Sequence, residues 1–174
     1  VYNPSTITEG TMTISGVTTR SGNLVATADN GISASGIKVA GNANLTSNNS
    51  SVTLQKLDGF NGGRNSVRGN LTVDAKTSAS ISNSTITGVT NAIARGGNLT
   101  IADSSLNGAY TGSYSDYDAY IDYVIGLGQL SGYDIEITNS TVNHANAQAS
   151  HDVKISNGST LIGSIANGAN SLTV

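Results

Sequence analysis

The chain has 174 residues, of which 11% are charged and 5% aromatic, with 21 Gly, one Pro, no Trp and no Cys. This leaves room for one domain with a sizeable core, carries too little charge for ordinary disorder, and lacks the thiols of a disulfide scaffold. The net charge of -3 and pI near 5.1 argue against nucleic acid or an anionic membrane surface as a partner, and no apolar run is long enough to span a bilayer.

The chain opens on Val1-Tyr2-Asn3-Pro4, without an initiator Met or a signal peptide, and closes on Ser171-Leu172-Thr173-Val174, which reads as mid-strand. Residues 1–174 are therefore expected to be a single segment of a longer, exported chain. Short apolar-polar-apolar triplets then run along it: Met12-Thr13-Ile14, Ile37-Lys38-Val39, Val52-Thr53-Leu54, Leu71-Thr72-Val73, Leu99-Thr100-Ile101, Ile135-Glu136-Ile137, Val153-Lys154-Ile155 and Leu172-Thr173-Val174. Alternation of period two turns the outer pair of each triplet inward and the central residue to solvent. Three residues make no sheet alone, but piled about 4.8 Å apart they become parallel strands whose Leu, Ile and Val form internal columns. Helices are not expected, since no apolar spacing of i, i+3, i+4, i+7 is sustained. A sandwich would want longer strands and hairpin turns. Before residue 75 the triplet spacing is irregular. Gly at 22, 31, 36 and 41 implies short turns, and residues 59–63 read as a looped-out bend, so the first rungs are expected to be smaller or less regular.

From residue 81 a fuller phrase recurs: a short strand, a polar Asn/Asp-Ser turn and one more apolar residue. It reads Ile81-Ser82-Asn83-Ser84-Thr85-Ile86, Ile101-Ala102-Asp103-Ser104-Ser105-Leu106, Ile137-Thr138-Asn139-Ser140-Thr141-Val142 and Ile155-Ser156-Asn157-Gly158-Ser159-Thr160-Leu161. The leading isoleucines are separated by 20, 36 and 18 residues, which predicts a period of about 19, with the long step close to two periods. Repetition at this interval marks a stacked solenoid. About nine turns follow, standing about 43 Å tall at the inter-strand spacing. Asn-rich turns such as Ser47-Asn48-Asn49-Ser50 are read chiefly as turn-stabilising, with stacked Asn ladders as the alternative.

The break falls between Leu106 and Ile135, where six of the seven tyrosines sit beside Asp116, Asp118, Asp122 and Asp134. Residues 108–132 are expected to project as a loop. Tyr offers a broad apolar face and a hydroxyl at low entropic cost. Tyr114, Asp116, Tyr117, Asp118, Tyr120, Asp122 and Tyr123 are accordingly one candidate partner-binding set, the alternative being that these rings cap the shaft. The loop lacks the Gly and Glu pattern of a calcium chelator. His144 and His151 show no metal-ligand spacing and read as solvated turn residues. No catalytic residue, metal or cofactor is assigned. The second candidate is the row of outward triplet centres, Thr13, Lys38, Thr53, Thr72, Thr100, Glu136, Lys154 and Thr173, as a face that pairs with another copy through hydrogen bonds and ion pairs.

The Gly-Asn-Leu-Thr-Ile/Val phrases, the Ser-Asn-Ser-Thr-Ile phrase and connecting pieces such as Gly88-Val89-Thr90-Asn91-Ala92-Ile93-Ala94 resemble passenger domains of Gram-negative autotransporters, in the style of the pertactin-like and self-associating adhesin group. Filamentous-haemagglutinin-like two-partner-secreted adhesins use a similar grammar. The resemblance implies an all-β, right-handed parallel β-helix, secreted to the bacterial cell surface. Such a segment would act without catalysis in adhesion, self-association or biofilm formation, its partner another copy or a host-surface protein or glycan. The alternative is a glycan-degrading enzyme or glycan-binding module on the same scaffold.

Overall fold

A computed structural model describes residues 10–58, 63–108 and 126–174. Among these residues the chain winds through three parallel sheets in rotation, the first turn touching the third sheet only through a Thr18–Lys38 bridge, as a β-solenoid of about seven turns. One sheet has seven strands: Leu24–Ala28 (β2), Ala43–Ser47 (β5), Leu71–Ala75 (β8), Thr90–Ala94 (β11), Gly128–Gly132 (β14), Ala145–Ala149 (β17) and Ile165–Gly168 (β20). The chain then enters the eight-stranded sheet: Met12–Ser15 (β1), Ile32–Ser35 (β3), Val52–Gln55 (β6), Ala79–Ser82 (β9), Leu99–Ala102 (β12), Ile135–Thr138 (β15), Asp152–Ser156 (β18) and Ser171–Thr173 (β21). The third side has six short strands: Lys38–Val39 (β4), Asn65–Val67 (β7), Ser84–Ile86 (β10), Ser105–Asn107 (β13), Thr141–Asn143 (β16) and Thr160–Ile162 (β19).

The register corrects the expected turn count. In the eight-stranded sheet Met12 pairs with Ile32, Ile32 with Val52 and Val52 with Ala79. Ala79 continues to Leu99, Leu99 to Ile135, Ile135 to Val153 and Val153 to Leu172. The 36-residue step is thus one turn and not two, because Leu99 neighbours Ile135, Ser105 neighbours Thr141 and Ala92 neighbours Leu130. Its surplus residues lie between Asn107 and Gly128. The expected loop over 108–132 also ends too late, since Gly128–Gly132 is a shaft strand. Residues 109–125 lie outside the described residues. The first rungs advance by equal 20-residue steps from Met12 to Ile32 to Val52, but the next step, Val52 to Ala79, takes 27 and Lys38 to Ser66 takes 28. The expected irregularity before residue 75 is therefore present, its surplus chain lying between Gln55 and Asn65. The equal first steps escaped notice because Ala26, Ala28, Ala34 and Ala43 occupy inward positions that a search for Leu, Ile and Val passes over.

The core is a set of columns. Ile14, Ala34, Leu54, Ile81, Ile101, Ile137 and Ile155 form one, each in register with the next and none more than 7% exposed. Val67, Ile86, Leu106 and Val142 form another under the six-stranded sheet. Burying a side chain of this size contributes about 1.5–3 kcal/mol, and each column repeats that gain once per turn.

The recurring phrase now has a physical reading. Leaving the eight-stranded sheet, the chain turns through a left-handed residue: Asn83 (φ 49°), Asp103 (49°), Asn139 (44°) and Asn157 (55°), with Gly16 and Gly36 at the equivalent early corners. Asn and Asp are the side-chain-bearing residues that tolerate this region best. The Ser that follows turns inward. Ser84, Ser104 and Ser140 are buried, and each backbone N–H donates to the hydroxyl one turn on: Ser84 N to Ser104 Oγ at 3.1 Å, Ser104 N to Ser140 Oγ at 3.1 Å and Ser140 N to Ser159 Oγ at 3.2 Å. Asn65 closes the lower end of this ladder, its Nδ2 donating to Ser84 Oγ and its Oδ1 accepting the Ile37 N–H. The corner is a run of buried backbone donors, each of which needs an acceptor.

An Asn ladder does exist, but not at Asn48 and Asn49. Asn23 Oδ1 accepts the Asn42 N–H at 2.8 Å, Asn42 Oδ1 the Asn70 N–H at 2.9 Å and Asn70 Oδ1 the Val89 N–H at 2.9 Å. Gly41 and Gly69, beside Asn42 and Asn70, are required by the close approach of successive turns, whereas Gly22 beside Asn23 has open space and a positive φ of 92°. A Cβ on Gly69 would sit 2.8 Å from the Gly41 carbonyl oxygen. Asn48 instead donates through Nδ2 to Asp29 Oδ1 at 2.9 Å.

Candidate functional site

The outward face of the eight-stranded sheet carries an unbroken polar column. Register places Thr13, Ser33, Thr53, Ser80, Thr100, Glu136, Lys154 and Thr173 side by side, one per turn. None of them is buried. Six of the eight residues expected on this face are on it. The other two are not: Lys38 is on the six-stranded sheet, in register with Ser66, and Thr72 is on the seven-stranded sheet, between Asn44 and Asn91. All three sheets share the same alternation, so a triplet alone does not reveal which side it occupies. Ser33 and Ser80 take the vacant places, and their strands were missed because Ala34 and Ala79 stand at inward positions. Along the column Lys154 Nζ and Glu136 Oε1 are 3.1 Å apart, an exposed pair worth under about 1 kcal/mol. The residues expected in the Tyr/Asp loop, Tyr114, Asp116, Tyr117, Asp118, Tyr120, Asp122 and Tyr123, lie outside the described residues.

Toward the C-terminal turns the column borders a shallow depression of about 280 Å³, where Thr100, Glu136 and Lys154 meet Asn98, Asp134 and Asp152. Its rim holds a cluster that sequence spacing does not suggest. His151 Nδ1 lies 2.9 Å from Asp134 Oδ1 and 3.2 Å from Asp152 Oδ2. The imidazole stacks on Tyr133, ring centres 4.9 Å apart and planes 8° from parallel. Asp134 and Asp152 are successive members of a corner ladder. Asn98 Oδ1 accepts the Asp134 N–H at 3.3 Å, Asp134 Oδ1 the Asp152 N–H at 3.2 Å, and Asp152 Oδ1 accepts from Asn170 Nδ2 and Ser171 Oγ, each at 2.8 Å. The donors of Asn170 and Ser171 hold the Asp152 carboxyl below the ordinary carboxylate range, and attraction to His151 adds to this.

Among the described residues, Asp134, His151 and Asp152 are the set whose side chains could hold a metal ion, one atom from each lying within 4.8 Å of the others. Two hard oxygens and an imidazole suit a divalent cation in kind. Their hydrogen bonds already satisfy them, so the cluster is accounted for as a clamp across three turns. His144, the other histidine, sits in a left-handed turn (φ 52°) with Nδ1 2.6 Å from the Gly108 carbonyl oxygen. Both histidines are in turns, as expected, but both are half-buried and bonded.

No family model, no curated protein and no solved structure matches the chain.

Proposed function

We propose that the chain is the shaft of a secreted bacterial cell-surface adhesin, of the autotransporter-passenger or two-partner-secreted kind, that works without catalysis by pairing with another copy or with a host-surface protein or glycan. One observation carries the reading: one polar column runs through all eight strands of a sheet of the solenoid, presenting hydroxyls, one acid and one base at the regular spacing of the turns. Such a face is built to match a second face of the same period. Each contact is worth roughly 0.5 kcal/mol, so eight of them give about 4 kcal/mol. That is the low edge of what association costs in lost freedom. Pairing of this segment is therefore weak, and grows with the number of turns engaged.

Sedimentation of the purified chain over a range of concentrations tests the reading. The wild type is expected to associate at high concentration, and Thr100→Lys/Glu136→Lys, which sets like charges against each other across the pair, to stay monomeric. A wild type monomeric throughout, or a variant that associates equally, contradicts pairing through this face.

A further inference from the structure

The six-stranded side carries a cationic groove that neither the fold nor the pairing face uses. Its register over the first turns sets Thr18 beside Lys38 and Lys38 beside Ser66. Two residues further along each segment, on the same outward side, stand Arg20, Ala40 and Arg68. The two arginines are thus two turns apart, about 10 Å along the shaft at the inter-strand spacing. Around Ala40, between them, lies a depression of about 340 Å³ that Lys38, Thr18 and Ser66 also line. Arg20, Lys38 and Arg68 are all exposed, and no carboxylate lines the depression.

Of the five other cations three are engaged, while Lys56 and Lys76 have no hydrogen-bonded or ion-paired side-chain partner among the described residues and do not line this groove. Arg95 is held by Asp74 at 2.6 Å, Lys154 by Glu136, and Arg64 donates to the Asp103 carbonyl oxygen at 2.7 Å. The side chains of Arg20, Lys38 and Arg68 have no hydrogen-bonded or ion-paired partner among the described residues. Charge is also segregated along the chain. Six of the eight Lys and Arg fall at positions 20–76, and seven of the eleven acids at 103–152. The net charge of -3 conceals a basic patch at one end.

We infer that this groove binds an acidic polysaccharide, one bearing sulfates or carboxylates. Guanidinium forks take up such groups two hydrogen bonds at a time, and the flanking hydroxyls suit sugar hydroxyls. A nucleic-acid strand fits less well, because no aromatic ring lines the groove for bases to stack on. A second copy of the chain also fits less well. Of the seven acids among the described residues, all but Asp58, namely Asp29, Asp74, Asp103, Asp134, Glu136 and Asp152, already accept hydrogen bonds from side chains of their own chain. The inference does not rest on the pairing face, which lies on another side of the shaft.

The test is fluorescence anisotropy with labelled heparin, neutral dextran and a single-stranded DNA oligomer as probes. Heparin is expected to bind and dextran not to. With three ion pairs and the slope known for flexible polyanions, raising salt from 50 to 200 mM should weaken binding roughly twentyfold. Arg20→Ser/Arg68→Ser should lose at least tenfold in affinity while keeping the wild-type circular dichroism and Tm. Arg95→Ser, which alters a paired cation on another side, should bind heparin as the wild type does. Heparin binding no better than dextran, unchanged binding by the double variant, or tighter binding of the DNA each overturns the inference. So does a sedimentation shift in the double variant that accompanies unchanged heparin affinity, since the groove would then serve self-association.

Discussion

Ser140→Ala removes one oxygen from the interior and isolates one defined cost. The Ser140 hydroxyl donates to the Thr138 carbonyl at 2.7 Å and accepts the Ser104 N–H at 3.1 Å. After substitution the Thr138 carbonyl keeps the Asp103 N–H at 3.1 Å. The Ser104 N–H loses its acceptor, and both residues are 4% exposed, so water does not readily replace it. A buried donor stripped of its partner costs about 1–3 kcal/mol. At about 2–4 °C per kcal/mol for a chain of this size, a loss near 2 kcal/mol lowers Tm by roughly 4–8 °C. The control is Ser105→Ala, one residue outward in the preceding turn, where the hydroxyl meets only the Asn107 side chain and the effect should stay within about 0.5 kcal/mol. Thermal melts followed by circular dichroism compare the two variants. If Ser140→Ala melts within a degree of Ser105→Ala, the internal hydroxyl ladder does not hold the corner and the reasoning fails.

Two further outcomes follow from the corners. Asn139 has φ 44°, so Asn139→Gly should be tolerated within about 0.5 kcal/mol, while Asn139→Val should lose about 1–2 kcal/mol to left-handed strain, and equal melting temperatures for the pair would deny that conformation. The Asp152 carboxyl, lowered by its Asn170 and Ser171 donors, binds fewer protons folded than unfolded. Its contribution is therefore fully present above the ordinary Asp value near 4 and is lost as pH falls through the lowered one. Unfolding followed from pH 6 down to pH 2 should show a shallower acid limb in Asp152→Asn than in the wild type, and superimposable limbs would contradict it.

Much of the architecture was legible in the sequence because each turn repeats the same local chemistry. The Asn-Ser phrase encodes three things at once: a left-handed turn residue, an inward hydroxyl and the next inward apolar side chain. That is why Asn83, Asp103, Asn139 and Asn157 announced the solenoid. Other features left no mark on a linear reading. The 36-residue step mimics two periods, and only the pairing of Leu99 with Ile135 shows a single turn with surplus chain. Lys38 and Thr72 satisfy the same alternation on different sides as Thr100 does on its own, so the polar column could not be assembled from triplets alone. The Asp134–His151–Asp152 cluster becomes readable once the local step of 18 between Ile135 and Val153 is known, since Asp134 and Asp152 then fall in register. The basic groove was hidden by the chain's net negative charge.

The absence of Cys from the chain allows the most direct test of this architecture. Thr100→Cys/Glu136→Cys places two thiols on neighbouring parallel strands, outward on the polar column. The strand spacing of about 4.8 Å lies within the Cα separation a disulfide accepts. Mild oxidation should close this bond within one chain in high yield, as read by mass spectrometry after proteolysis. Failure of this pair to close, with free thiols recovered at both positions, would mean that residues 100 and 136 are not adjacent rungs, and the polar column would not exist.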